Sequence, residues 1–325
     1  MPGLGEAGLS AMLHRAPALI GLFCLCIGTA PGGDQDHVSL AIRGRAAAPK
    51  VNFRAESELV LVPVSVTDSR NHAVIGLRRS AFRVLEDQAE QRIAEFWRED
   101  APLTVGIVFD LSGSMAGKLG KSREAMAQFL HFANPEDEFF LVEFRDRARL
   151  AVPFTSDTAA IQNYLVNAQP RGRTALLDAV RLAIHCMRNA RYSRRALLVL
   201  SDGGDNDSRY SETELLDRLR EADVWIYAMG IYVPAPEGQP EIAGGQKLLQ
   251  MLTEESGGRE FAVTSLIDLP VVAARIGVEL RNQYVLGYRP ANRQRDGKYR
   301  RVQVRVGDPR ASHVVFRPGY YAVGE

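Results

Sequence analysis

Two apolar patterns alternate along residues 101–280. The first is a short unbroken run, at 103–109, 196–200 and 224–231, as in strands buried on both faces of a parallel sheet. The second is helical spacing: over 118–132, Leu119, Ala125, Met126, Phe129 and Leu130 fall on one face. Helices are also expected over 158–166, 175–187, 212–222, 244–255 and 266–280. Segments 138–144 and 148–154 flank a charged turn and read as a hairpin on one sheet edge, and 260–263 reads as a last short strand. Strands alternating with amphipathic helices imply right-handed crossovers and helices on both faces of the sheet. The expected fold class is therefore α/β, with a doubly wound, mostly parallel, Rossmann-like sheet over 101–280.

The flanks lack helical spacing. Residues 59–68 are strand-like, and Pro63 inside them points to an edge strand. The turn residues Asp68, Ser69, Arg70 and Asn71 precede a possible short strand at 73–77. Segments 82–87, 92–97 and 299–306 alternate apolar with polar, and 283–288 and 314–317 also read as strands. So small a core as residues 51–100 could build alone is marginal. Segments 51–100 and 281–325 are thus expected to form one smaller all-β, sandwich-like domain, with the α/β domain inserted between them. Tyr320 and Tyr321 are expected to serve as core and lid of that domain.

The first fifty residues differ again. His14 and Arg15 precede an apolar run, 16–27, too short to span a bilayer, and Gly28-Thr29-Ala30 offers small residues for cleavage. Residues 1–30 read as a signal peptide and 31–50, rich in Gly, Ala and Pro, as a linker. The expected location is exported: periplasmic, cell-surface or secreted. Membrane contact is expected only if the N-terminal segment is retained. Cys24 and Cys26 lie in the apolar stretch, leaving Cys186 as a buried free thiol on a helix.

Composition changes little. A 325-residue chain of net charge +1 gives no sign of nucleic-acid binding. The arginines between Arg289 and Arg305 read as a solvated strand face.

Candidate chemistry concentrates where the buried runs end. The run 103–109 stops at Asp110, followed by Ser112 and Ser114; Thr174 directly precedes a helix; the run 196–200 leads into Asp202. Each alone could be a cap or a turn residue. If the two strands are neighbours, their C-terminal loops converge, as ligand loops do in open α/β sheets. Two carboxylates and three hydroxyls then form an all-oxygen set suited to a hard divalent cation.

The segments D-L-S-G-S, G-R-T-A-L-L-D-A and L-V-L-S-D-G-G-D resemble the metal-ion-dependent adhesion site of von Willebrand factor type A domains. The resemblance covers roughly 101–280 and implies that Asp110, Ser112, Ser114, Thr174 and Asp202 hold one divalent ion. That ion is usually Mg²⁺, with Mn²⁺ or Ca²⁺ possible. It further implies direct coordination by the hydroxyls, aspartates acting through water, and a partner protein whose carboxylate completes the octahedron. Cation-dependent protein binding, for adhesion or scaffolding, is the implied function. The flanking segments are similar to those of exported bacterial proteins of this type. A module whose metal only stabilises it is the second reading.

No enzyme is expected and no small-molecule substrate. Gly120-Lys121-Ser122 lies too far from the strand end for a phosphate loop, and Met115 stands where that loop needs its first glycine. Asp205 and Asp207 are read as turn residues rather than ligands.

Overall fold

The computed structural model describes residues 59–233 and 242–322; the expected signal peptide and linker lie outside them. The chain begins with β1 (Val60–Thr67), β2 (Phe82–Glu86), β3 (Ala89–Gln91) and β4 (Ile93–Glu99). The α/β part follows as β5 (Thr104–Asp110), α1 (Leu119–His131), β6 (Glu138–Phe144), β7 (Ala148–Thr155), α2 (Thr158–Asn167), α3 (Leu176–Cys186), β8 (Arg195–Ser201), α4 (Glu212–Glu221), β9 (Trp225–Ile231), α5 (Ile242–Ser256), β10 (Arg259–Val263) and α6 (Leu269–Arg281). The chain then returns to strands: β11 (Gln283–Tyr288), β12 (Tyr299–Val306), β13 (His313–Phe316) and β14 (Gly319–Tyr321).

The central sheet has the order β10-β9-β8-β5-β6-β7, with every pair parallel except the β6–β7 hairpin at one edge. Every residue of β5 and of β9 is buried, because helices cover both faces. The alternation of the strand divides its apolar residues between the two covers. Val105, Ile107 and Phe109 join a core with α1, α2 and α6, whereas Val108 joins the core beneath α3, α4 and α5. Gly106 sits in mid-strand because a Cβ there would strike the Phe140 ring and Leu197. This is the doubly wound sheet expected from the alternating patterns.

Two four-stranded sheets flank it, ordered β13-β1-β11-β4 and β14-β12-β2-β3. Their shared core includes Val62, Val64, Phe82, Val84, Tyr284, Leu286, Val302 and Val304, all from before residue 100 or after residue 282. Pro63 is a correction to the edge-strand expectation, since β1 has β11 on one side and β13 on the other. The β13 pairing begins only at Val64, so the missing N–H of Pro63 falls where β1 has a single partner. The expected strand at 73–77 is reduced to one bridge, Thr67 to Ala73. Asn71 and Gly76 adopt positive φ on either side of it, which breaks extended backbone. Tyr320 does face inward: its hydroxyl and that of Tyr288 both donate to buried Glu86 Oε2, at 2.8 and 2.7 Å.

The chain enters and leaves the α/β part at one place. Glu99 of β4 pairs with Gln283 of β11, and the Arg194 guanidinium donates to Leu280 O (2.7 Å) and to Ala101 O. This junction lies at the N-terminal end of β5. Asp110 is at the other end, about 20 Å away for seven residues of strand.

Candidate metal centre

The register of the central sheet brings Asp110 and Asp202 to neighbouring strand ends. Phe109 of β5 pairs with Leu200 of β8, so the next residues, Asp110 and Ser201, stand opposite each other and Asp202 follows at once. Asp110 is fully buried. Its Oδ1 accepts the Ser112 N–H at 2.8 Å, and its Oδ2 accepts the Ser201 hydroxyl at 2.6 Å. Burial, together with the nearby Asp202 charge, pushes the Asp110 carboxyl up to about 6, against the pull of those hydrogen bonds.

Past Asp110, a single 3₁₀ turn at Gly113–Met115 folds the chain so that Ser112 Oγ and Ser114 Oγ lie 3.1 Å apart. Hydroxyl rotors can turn both lone-pair sets outward, so this pair is compatible with coordination.

Thr174 arrives on a loop laced to both others through its backbone. Arg171 N–H donates to Leu111 O (2.9 Å) and Gly113 N–H to Gly172 O (3.0 Å), which ties the loop to β5. Thr174 O accepts the N–H groups of Asn206 and Asp207, and Thr174 N–H donates to Asn206 Oδ1 (2.9 Å), which ties it to the loop after β8. Gly172, at φ +80°, makes the turn, and Asp146 Oδ1 receives the next N–H, that of Arg173, at 2.8 Å.

Asp202 is held by a cation. Lys118 Nζ donates to Asp202 Oδ2 at 2.7 Å, with 19% of the lysine and 16% of the aspartate side chain exposed. Beside it, Gly203 takes φ +81° and its backbone lies against that of Gly245, so a Cβ on either would collide. The third loop is thereby clamped onto the start of α5.

The donor set fits a hard divalent ion in chemistry: two carboxylates, three hydroxyls, no sulfur or imidazole. The lysine ammonium on Asp202 is already a positive charge at the site. Among the described residues there is no cluster of three His, Cys, Asp or Glu side chains that could hold a metal, so any ion here depends on the hydroxyls.

Two residues at this site escaped the sequence reading. Lys118 reads in the sequence only as a helix start, and Ser201 only as the first loop residue after the apolar run 196–200. A signal for the first was available: Lys118 is the cation nearest in sequence to the D-L-S-G-S loop. Asp205, read from the sequence as a turn residue, also caps α3. Its Oδ1 accepts the N–H of Leu176 (2.7 Å) and Leu177 (3.2 Å) and the Ser208 hydroxyl (2.5 Å). Asp207 pairs with Arg173 at 3.0 Å. Lys121 lies on the exposed side of α1, 2.6 Å from Glu124. Cys186 is a free, buried cysteine whose thiol burial pushes up.

Residues 105–204 match the family model described as von Willebrand factor type A domain, a span that includes all five candidate residues. The chain is similar to bovine (Bos taurus) inter-alpha-trypsin inhibitor heavy chain H4, 28% identical over 134 residues, which is 37% of this chain and 15% of that protein. The chain therefore spans only a small part of the length of the curated relatives it matches. Among solved structures it is similar to von Willebrand factor type A from Catenulispora acidiphila, at 13% identity and TM-score 0.48, covering 83% of this chain and 74% of that one. It is also similar to the PilB minor pilin from Streptococcus sanguinis, at 16% identity and TM-score 0.45, covering 56% and 62%.

Proposed function

Starting from a chain that carries a von Willebrand factor type A domain, we propose that it binds a protein partner through a divalent cation, most readily Mg²⁺, held by Asp110, Ser112, Ser114, Thr174 and Asp202. The observation that carries this reading is the convergence of three loops at the C-terminal ends of β5 and β8, presenting only oxygen donors. Three of the five donors are neutral hydroxyls. A cation so held keeps much of its charge, so an outside carboxylate is an attractive further ligand. The two carboxylates would anchor the ion and the hydroxyls would complete its inner face. An exported adhesion or scaffolding role agrees with the charged and apolar N-terminal pattern of residues 14–30. The reading in which metal only stabilises the fold is less favoured, because Asp202 already has a cationic partner in Lys118.

The test is affinity capture from an envelope extract with the full chain, in Mg²⁺ and in EDTA. Partners that stay on the column in Mg²⁺ and leave in EDTA are expected. A partner set indifferent to EDTA and to Asp110→Ala contradicts the proposal.

A further inference from the structure

Lys118 is placed where helix electrostatics disfavour a cation. It occupies the position before Leu119, at the positive end of α1, and its own N–H donates to Met115 O at 2.9 Å. Ser122 fixes the same backbone by donating both its N–H and its hydroxyl to Lys118 O, each at 3.0 Å. A backbone so anchored leaves the side chain as a short tether. The group that compensates the ammonium is the Asp202 carboxylate, across an 84-residue separation.

We infer that Lys118 is a tethered counter-cation that Asp202 exchanges for the divalent ion. The inference rests on the metal reading given above. An ammonium in direct contact with Asp202 Oδ2 and a doubly charged ion at the same cluster repel each other strongly across so few ångströms. Loading the site therefore requires the ammonium to leave the carboxylate. It has a way out: the side chain is one-fifth exposed, and rotation about a four-carbon stem carries its head to water. In the metal-free chain Lys118 keeps Asp202 neutralised and the third loop in place. In the loaded chain it stands at the rim, as a second positive group facing an acidic partner. Lys118 thus sets the affinity for metal and keeps the empty site from collapsing.

The experiment uses the full chain, with Mn²⁺ as the calorimetric probe and Mg²⁺ in the labelling. Calorimetric titration of the wild type, Lys118→Met and Lys118→Arg is combined with acetic-anhydride labelling of wild-type Lys118, read by mass spectrometry in EDTA and in Mg²⁺. Lys118→Met is expected to bind Mn²⁺ about tenfold more tightly while melting lower without metal, and Lys118→Arg to stay within about threefold of the wild type. Labelling of Lys118 is expected to rise in Mg²⁺. Unchanged or weaker Mn²⁺ binding by Lys118→Met overturns the exchange, as does labelling that ignores Mg²⁺. The labelling decides the matter should Lys118→Met fail to fold. A wild type that takes up no Mn²⁺ removes the metal reading and this inference together, whereas a wild type that binds with no response at Lys118 removes this inference only.

Discussion

The residues at the tip of β5 and β8 show what a strand end must do to hold charge. Asp110 is buried and satisfied by two donors, Asp202 is mostly buried and satisfied by a lysine, and Gly203 permits the turn that lays the loop after Asp202 against α5. Gly203 is the most exacting of them. A side chain there would need a strained φ and would meet the Gly245 backbone, which belongs to a helix and cannot move aside easily. Gly203→Ala should destabilise the chain by about 3 kcal/mol in urea denaturation. A change below about 0.5 kcal/mol would show that the clamp between the third loop and α5 is loose. At this scale the sequence was partly legible. The five oxygen-bearing residues stand out because each follows a buried run or precedes a helix. Lys118 lies near the first loop in sequence, but nothing in the spacing of a lysine and an aspartate 84 positions apart says that they meet. The capping of α3 by Asp205 was hidden for the related reason that a turn residue's sequence position does not say which helix N-terminus lies beside it.

The elements were read more easily, since periodicity reports burial and burial is what helices and strands of this domain share. The buried runs became β5, β8 and β9, and the helical spacing became α1 to α6. Errors fell where a local rule met a tertiary exception, as at Pro63, where pairing with β13 begins only at the next residue, Val64. The corner of β6, β7 and α2 illustrates what pattern cannot reveal. Glu143 lies within an apolar run yet accepts from Arg149, Arg145 and the Tyr164 hydroxyl, the last at 2.5 Å. Burial alone would raise the Glu143 carboxyl, but the hydrogen bonds from Tyr164, Arg149 and Arg145 outweigh it and hold the group below its ordinary value. A carboxyl with a lowered folded value stabilises above its unfolded pKa of 4.5, and that stability is lost as pH falls through the folded value. Urea denaturation between pH 3 and 7 should therefore show a steeper acid loss in the wild type than in Glu143→Gln, which should also be weaker by about 2 kcal/mol at neutral pH. Parallel pH curves for the two proteins would count against the network.

Across the whole molecule, the flanking strands and the α/β part meet through a polar seam as well as an apolar one. The Arg259 guanidinium of β10 lies over the Phe261 ring, donates to Thr67 Oγ1 at 3.3 Å and to Asn71 Oδ1, and stands 3.8 Å from Glu279. Tyr227 of β9 donates its hydroxyl to the same Glu279 at 3.1 Å. Such a seam, like the pairing of β4 with β11, fixes the base of the central sheet and leaves its far end, with Asp110 and Asp202, as the face turned away. That the flanks share one core followed from their strand-like patterning and from the marginal core that residues 51–100 could build alone. Which faces would carry buried ion pairs did not follow, since such pairs join residues remote in sequence. The proposed role of this molecule requires that the far end take a divalent ion. Calorimetric titration of the full chain with Mg²⁺ and Mn²⁺, beside Asp110→Ala, measures this directly. Saturable one-site binding by the wild type and none by Asp110→Ala are expected; equal heats from the two proteins would overturn the metal site.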